Sequence, residues 1–455
     1  MTADRFQELA RLLPDGELLL DPEERAACSG DESFAEPVQP LAVVKARSTE
    51  DVAATLRWAN AEGVPVTARG AGTGKSGGCV PEEGGIVLAL SAMDRILSVR
   101  PEHGWAEVEP GVVTGLFRDS LAEEYRLFYP PDPASLDTCT LGGNVATNAG
   151  GPVALKYGVT GNFVLGVQAV LADGSVIETG RRQPKSVSGY DLTSLLVGSE
   201  GTLGVITAIR LGLRALPSEV VTALLPFASV SDAAAAVPYA RSAGLEPRAL
   251  ELFDGVSLAR AARDPDYPGT ADWGALLLAE FDGGPGEGLA ALDRFVDGLP
   301  FAALSVQRAE SLEERAALWS FRRRTSKLVK VGALGWRSDD VAVPLGSIPD
   351  LLAFLPQLAD RHDLVACGYG HAGDGNMHVN LLWEEESGSQ RIDAAAEDLV
   401  RKTLELGGSV SGEHGIGSLK RRFLSWELGE RQLSLQRSLR RQWDPRGILN
   451  PGKVL

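Results

Sequence analysis

The sequence predicts an α+β fold in two domains, closed by a short C-terminal segment. Its 455 residues exceed one ordinary domain. Up to about Leu213, short strands and tight glycine turns dominate, with few helices among them. After Leu216-Pro217-Ser218 the pattern becomes strands alternating with longer amphipathic helices. The expected divisions are 1–216, 217–425 and 426–455.

Taken in order, residues 5–13 read as a short amphipathic helix. Residues 49–60 form a better marked one: Ser48 or Thr49 can cap it, Asp51 lies in the first turn, Val52, Leu56 and Trp58 are its apolar positions, and Gly63 stops it. Residues 65–68 are a short buried strand that runs into a glycine loop. Strands follow at 86–90 and 105–109, and 164–171 turns at Asp173-Gly174 into 175–178. In the second part, strands are expected at 220–225, 275–281 and 303–308. Helices are expected at 230–243 (with an awkward Pro238), 288–299 and about 312–331. A helix at 348–362, a buried strand at 364–369, a return strand at 376–382, a helix at 392–406 ended by Gly407-Gly408 and a last helix near 431–442 complete the chain.

Composition is globular, and a net charge of −17 argues against nucleic acid or an anionic membrane as partner. Against that acidity, Arg322-Arg323-Arg324 stands out as an island for an anionic group. Cys28, Cys79, Cys139 and Cys367 lack CxxC spacing, so no iron–sulfur or zinc-knuckle signature is present. The N-terminus carries no apolar run of the signal-peptide kind, and no stretch approaches a membrane span, so a cytoplasmic protein is expected, not integral to membrane.

Three of the five histidines lie in two glycine-rich segments, Gly370-His371-Ala372-Gly373-Asp374-Gly375-Asn376-Met377-His378 and Ser411-Gly412-Glu413-His414-Gly415-Ile416-Gly417. Two imidazoles and a carboxylate suit a divalent metal with positions left open for substrate, and His414 could act as a base beside it. His371 and His378, seven apart, would be out of phase on one strand, so a turn at Gly373-Asp374-Gly375 must reunite them.

Upstream, Arg69-Gly70-Ala71-Gly72-Thr73-Gly74-Lys75-Ser76-Gly77-Gly78 suits close approach of backbone N–H groups to a phosphate. Its GxGxxG match is weak: Pro81 disfavours the helix that a nicotinamide fold needs, and Arg69 stands where a P-loop needs glycine. Further small and polar clusters occur at 130–135, 140–151 and 197–207.

Together, RGAGTGKSGG (69–78), CTLGGNVATNAGG (139–151), KYGVTGN (156–162), GYDLTSLLVGSEGTLGVIT (189–207), GHAGDGNMH (370–378), SGEHGIG (411–417) and LNPGK (449–453) resemble the FAD-binding family of vanillyl-alcohol oxidase type. Within it they are most similar to the branch of glycolate oxidase FAD subunits, D-lactate dehydrogenases and D-2-hydroxyglutarate dehydrogenases. The resemblance implies a two-subdomain FAD-binding domain (1–216), a ferredoxin-like α+β cap carrying a metal site (217–425), and a tail (426–455) returning to the FAD domain.

It also implies non-covalent FAD. Arg69, Gly70, Ala71, Gly72, Thr73, Gly74, Ser76 and Gly77 would hold the pyrophosphate. Thr140, Gly142, Gly143, Asn148 and Gly150 would line the ribityl and flavin region, and Glu200, Gly201, Gly204 and Ile206 would border the adenosine half, with Pro131, Asp132, Ser135 and Asn450 further cofactor contacts. His371, His378 and Glu413 match metal ligands, with Zn or Mn expected, and His414 matches the catalytic base. Arg322 matches the carboxylate-binding arginine, with Ser326, Arg337 and Asn376 as further substrate contacts. Ser338, where hydroxyglutarate enzymes carry lysine, departs from the pattern, as does Lys75.

The implied reaction is oxidation of a D-2-hydroxy acid such as D-lactate or glycolate to the 2-oxo acid, with hydride passing to flavin N5. The alternatives are a D-2-hydroxyglutarate dehydrogenase and the FAD subunit of a multi-subunit glycolate oxidase complex. Reoxidation would require a separate acceptor: an electron-transfer protein, a quinone, a cytochrome or oxygen. A homodimer and a subunit of an oxidase complex are the assemblies expected.

Overall fold

The computed structural model describes residues 3–183, 185–265, 267–269 and 272–455. The chain forms two compact units. The first comprises Met1–Gly150, Gly158–Leu216 and Glu413–Leu455; the second comprises Gly151–Tyr157 and Pro217–Gly412.

The first unit is built on two sheets. In the smaller, strands Glu17–Leu19, Val43–Lys45, Ile86–Ala89 and Val66–Arg69 lie in that order. The last three run parallel and the first antiparallel to them. Helix Thr49–Glu62 packs its Val52, Leu56 and Ala59 into the core with Val44, Val66, Ile86 and Leu88. Its start is fixed by a reciprocal cap between Ser48 and Asp51, and Gly63, at φ 66°, ends it. The buried Asp51 carboxylate also accepts the N–H groups of Asp15, Gly16 and Arg47, which ties the chain before the first strand to this helix. The larger sheet is antiparallel, in the order Ile96–Arg100, Trp105–Val108, Val205–Gly212, Val164–Val170 and Val176–Glu178.

The C-terminal residues complete this unit. Val66 donates to Ile448 O and Asn450 donates to Val66 O, each at 2.8 Å, so 448–450 lie alongside the smaller sheet, and Ile448 and Leu449 enter its core. Residues 413–425, expected with the second domain, instead pack with the first. The cause is local: the N–H groups of Ile416 and Gly417 are held by the Glu200 carboxylate, and those of Ser418 and Leu419 by Ser76 O.

The second unit is one seven-stranded antiparallel sheet in the order Gln307–Arg308, Glu219–Phe227, Ala275–Gly283, Ala249–Asp254, Val365–His371, Asn376–Trp383 and Gly335–Ala342. Alternation along each strand divides the two faces. Leu225, Leu252, Leu277, Ala279, Val341, Val379 and Leu381 face one way and form the main core with helices Val230–Ser242, Glu287–Asp297, Ile348–His362 and Ile392–Glu405. Leu224, Phe253, Leu276, Leu278, Tyr369 and Leu382 face the other way, under helices Gly255–Ala261 and Leu312–Leu328. Pro238 is accommodated inside its helix. Strands 249–254 and 335–342 were not expected from the sequence, and of the expected strand at 303–308 only Gln307–Arg308 pairs.

Candidate functional site

In the second unit, strands Val365–His371 and Asn376–Trp383 are joined by a 3-10 turn over Ala372–Asp374 and by Gly375 at φ 87°. A β-carbon at Gly375 would fall against Val343 O, so the position excludes side chains by space as well as by backbone angle. The register sets Tyr369 opposite His378 and His371 opposite Asn376. His371 and His378 therefore share one sheet face, as diagonal neighbours whose ring centroids are 5.1 Å apart at 84°.

Each imidazole sits beside a buried carboxylate. Glu251 lies directly across from His371 on strand Ala249–Asp254, and its Oε1 is 2.6 Å from His371 Nδ1. Asp340 lies across from His378 on strand Gly335–Ala342; its Oδ1 is 3.8 Å from His378 Nδ1, an ion-pair separation. Burial pushes the Glu251 carboxyl up, but Arg322 and His371 outweigh it and hold the group at about 2. A histidine whose Nδ1 faces a carboxylate directs its other nitrogen outward, the usual arrangement of a metal-binding imidazole.

Helix Leu312–Leu328 turns one polar stripe toward this face, at positions 315, 319, 322 and 326. Arg315 and Trp319 Nε1 donate to the buried Glu280. Arg322 Nε donates to Glu251 Oε2, and its guanidinium lies 5.3 Å from the Tyr369 ring centroid and 5.9 Å from that of Phe253. Ser326 and Asn380 lie near the Tyr369 hydroxyl. Burial, only partly offset by these contacts and by Arg322, raises the Tyr369 pKa.

Two residues expected as substrate contacts make hydrogen bonds within the protein. Arg337 lies on the opposite sheet face from His378, because the pleat alternates and Asp340, three positions on, faces the histidines. Its guanidinium is buried against Asp339 in a bidentate pair at 2.8 and 3.1 Å and reaches Asp393 at 3.0 Å. The Asn376 amide donates to Asp340 and to Val341 O, so it clamps two strands together. Asp340 also accepts the Gly412 N–H at 2.9 Å and the Ser411 hydroxyl at 3.2 Å. It thereby fixes the chain one peptide bond before Glu413.

In the first unit, the glycine loop follows the carboxyl end of strand Val66–Arg69, beside parallel Ile86–Ala89. Crevices at such strand ends are the usual ligand sites of parallel sheets. Among the described residues, the N–H groups of 71–75 make no hydrogen bond within the chain, so they remain donors for an anion. Three glycine-rich segments, far apart in sequence, meet here. A β-carbon at Gly70 would strike Thr140 Oγ1, and one at Gly78 would come within 3.3 Å of Glu200 Oε2. Glu200 N–H donates to Ala146 O at 2.8 Å and Gly198 N–H to Val145 O at 2.9 Å. Gly72, Gly77 and Gly201, with Asn148 and Glu200, all carry positive φ.

Several residues expected as cofactor contacts also bond within the protein. Arg69 donates to Gly30 O at 2.6 Å and to Ala27 O at 3.4 Å. Thr140 caps helix Leu141–Thr147, Gly142 N–H is taken by Pro110 O, and Asn148 Oδ1 accepts Gly161 N–H. Ser135 O accepts the N–H groups of Thr138 and Cys139, shaping the turn after Pro131 and Asp132. Gly150 has no room for a side chain beside Glu413, Gly204 abuts Val170 O, and Ile206 is buried in its strand. Asn450 is a clip: its amide donates to Gly78 O and Glu200 O, both at 2.8 Å, while Thr67 donates to its oxygen.

The loop bearing Glu413 and His414 is held by two of these same residues. Ser76 Oγ donates to His414 O at 3.0 Å, and Glu200 accepts Ile416 and Gly417 N–H at 2.7 and 2.8 Å. Burial raises the Glu200 pKa, against those two N–H groups and the nearby lysines 420 and 453. Glu251, Asp340, Tyr369 and Asn380 are absent from the sequence reading. For Glu251 a signal existed: one carboxylate in the alternating run Ala249-Leu250-Glu251-Leu252-Phe253.

The profile of FAD linked oxidases, C-terminal domain, matches residues 216–454, and that of an FAD binding domain matches 40–180. Glycolate oxidase subunit GlcD of Bacillus subtilis is 37% identical over 429 residues, covering 91% of this chain and 89% of its own. D-lactate dehydrogenase of Anaerostipes hadrus is 35% identical, covering 91% and 90%. D-2-hydroxyglutarate dehydrogenase of Stutzerimonas stutzeri is 31% identical, covering 99% and 98%. Among solved structures, p-cresol methylhydroxylase superposes with TM-score 0.80 at 18% identity, covering 100% of this chain and 97% of its own, a likeness of fold. Among the described residues, no helix is long and apolar enough to cross a membrane.

Proposed function

Because the chain belongs to the FAD-linked oxidase family, we propose that this FAD-dependent oxidoreductase converts a small D-2-hydroxy acid, of the D-lactate or glycolate type, to the 2-oxo acid with the help of a divalent metal. The observation that carries the reading is the His371–His378 pair on one sheet face, with Arg322 joined to the same face through Glu251.

When bound, FAD supplies the two-electron acceptor, and a Zn or Mn ion on His371, His378 and Glu413 supplies Lewis acidity toward the substrate hydroxyl. Arg322 receives the substrate carboxylate. Among the described residues its hydrogen bond runs from Nε, which leaves the two Nη groups as charge-assisted donors. Tyr369 and Phe253 lie beside that guanidinium at cation–π distance and help hold it in place for the carboxylate. An imidazole nitrogen of His414 takes the hydroxyl proton, a role suited to a group that titrates near neutrality. Apart from Arg322, which the first carboxylate takes, and His378, the side chains near Tyr369 include the uncharged Ser326 and Asn380, the latter hydrogen-bonded to Ser338. That lining favours a short substrate side chain over a second carboxylate.

The test is anaerobic reduction of the purified protein, followed at the flavin absorption bands, with D- and L-lactate, glycolate and D-2-hydroxyglutarate, each with and without chelator. Bleaching by D-lactate or glycolate that chelator abolishes is the expected result. Bleaching that chelator leaves unchanged would remove the metal from the proposal. A flavin that none of the four reduces would remove the substrate class.

A further inference from the structure

We propose that Glu251 is the common positioning residue of this site: one buried carboxylate sets the tautomer of His371 and the orientation of Arg322, so that metal capture and carboxylate capture depend on the same side chain. The inference rests on the metal-and-arginine reading above and adds a residue that none of the sequence motifs contains.

The carboxylate has one partner on each oxygen: His371 Nδ1 at 2.6 Å on Oε1 and Arg322 Nε on Oε2. The arginine is permanently cationic, so the carboxylate beside it is ionised and can only accept. His371 Nδ1 must then carry the hydrogen. In a neutral imidazole this leaves the Nε2 lone pair as the metal donor. The same carboxylate takes Nε of Arg322, while the Tyr369 and Phe253 rings lie 5.3 and 5.9 Å from the guanidinium, so the two Nη groups, which Glu251 does not use, are left for a second anion.

The strand enforces this. Glu251 is paired with His371 in register, and its neighbours Leu250 and Leu252 are buried in the core on the other face. No substitute of similar size does both jobs. Glutamine offers one acceptor and one donor: if its oxygen serves Arg322, its amide donates to His371 Nδ1, and the imidazole must carry its hydrogen on Nε2, where the metal would bind. Aspartate is one methylene shorter and cannot span both.

The experiment uses the FAD-loaded protein stripped of metal by chelation. Zn²⁺ affinity is measured by competition with a chromophoric chelator. Carboxylate binding is measured separately, in the metal-free protein, from the shift that oxalate produces in the flavin spectrum. Glu251→Gln is expected to weaken Zn²⁺ by roughly tenfold to a hundredfold, as loss of an outer partner of a ligating histidine does, and to weaken oxalate by about tenfold or more through Arg322. His378→Gln should weaken Zn²⁺ alone, and Arg322→Met oxalate alone. A Glu251→Gln protein that retains FAD and changes only one affinity, or neither by more than about twofold, overturns the proposal.

Should Glu251→Gln fail to fold, Glu251→Asp and the wild-type tautomer decide. In protein labelled with ¹⁵N-histidine, His371 should carry its hydrogen on Nδ1 in the metal-free state, and a hydrogen on Nε2 overturns the proposal. If the wild type binds Zn²⁺ no better than His371→Gln/His378→Gln, the metal reading itself falls. The histidine tautomer and the oxalate measurement then judge Glu251 independently.

Discussion

Glu200 accepts the backbone N–H of Gly417 at 2.8 Å across 217 positions of sequence, and that of Ile416 at 2.7 Å. A residue expected to border a cofactor therefore holds the loop that carries Glu413 and His414. Glu200→Ala leaves the buried N–H of Gly417 and the part-buried N–H of Ile416 without an acceptor, at a cost of about 2–4 kcal/mol. Flavin reduction by substrate should slow by roughly tenfold or more as His414 loses its fixed position, while FAD stays bound. Stopped-flow reduction and flavin content check this. A variant that loses FAD yet reduces at the normal rate once reconstituted would assign Glu200 to the cofactor alone.

Arg337 offers a cleaner separation of structure from chemistry. Removing it leaves Asp339 buried without its bidentate partner, so Arg337→Ala should cost about 3–5 kcal/mol. Replacing both, Arg337→Met with Asp339→Leu, should recover most of that loss, since an apolar pair avoids the desolvation of two charges. kcat/KM of the folded protein should change less than about twofold in the double variant. A raised KM at unchanged stability would return Arg337 to the substrate.

Asp254 predicts a stability slope. Burial pushes its carboxyl up to about 6 from an ordinary 3.8, only partly offset by the N–H groups of Ser257 and Gly368. Between those values the folded chain holds a proton that the unfolded chain has released, so stability falls as pH rises. The loss totals on the order of 3 kcal/mol and is complete above about pH 6. Asp254→Asn gives up one of the two hydrogen bonds but removes this slope. Its stability relative to wild type should therefore improve from pH 4 to 6 in urea unfolding, and parallel curves would contradict the assignment.

Gly375→Ala should be among the most damaging single changes in the second unit. The residue sits at φ 87° with Val343 O where a β-carbon would be. A loss of about 3 kcal/mol or more is expected, together with loss of Zn²⁺ binding, because the turn sets the diagonal that brings the histidines together. Normal metal affinity in a folded Gly375→Ala protein would show that the turn does not set the pair.

Much of this was legible in the sequence. The α+β class, the helix capped near Ser48 and the strands flanking the glycine loop follow from local periodicity and caps, which are short-range physics. So does the hairpin joining His371 to His378, because glycine and aspartate at 373–375 leave the chain little else to do. Strand 335–342 was hidden because Arg337-Ser338-Asp339-Asp340 looks like a solvated run, yet each charge finds a partner: Arg337 and Asp339 pair along the strand, Arg337 also reaches Asp393, and Asp340 takes Asn376 from the next strand. Glu251 was hidden for the same reason: only strand register reveals that a lone acid faces an imidazole and a guanidinium. The glycine segments were recognisable, but not that Asn450, Arg69 and Glu200 spend their polar atoms on the protein's own backbone.

The order in which the chain leaves the ribosome has a consequence for the first unit. That unit is encoded in three separated stretches, and its last is the final 43 residues, Glu413–Leu455. The middle of the gene, Pro217–Gly412, can complete its sheet while the nascent first unit still lacks Ile448, Leu449 and the Asn450 clip on Gly78 and Glu200. The first unit is thus the later of the two to mature, and a message truncated near residue 412 would yield a settled second unit attached to an open, aggregation-prone first one.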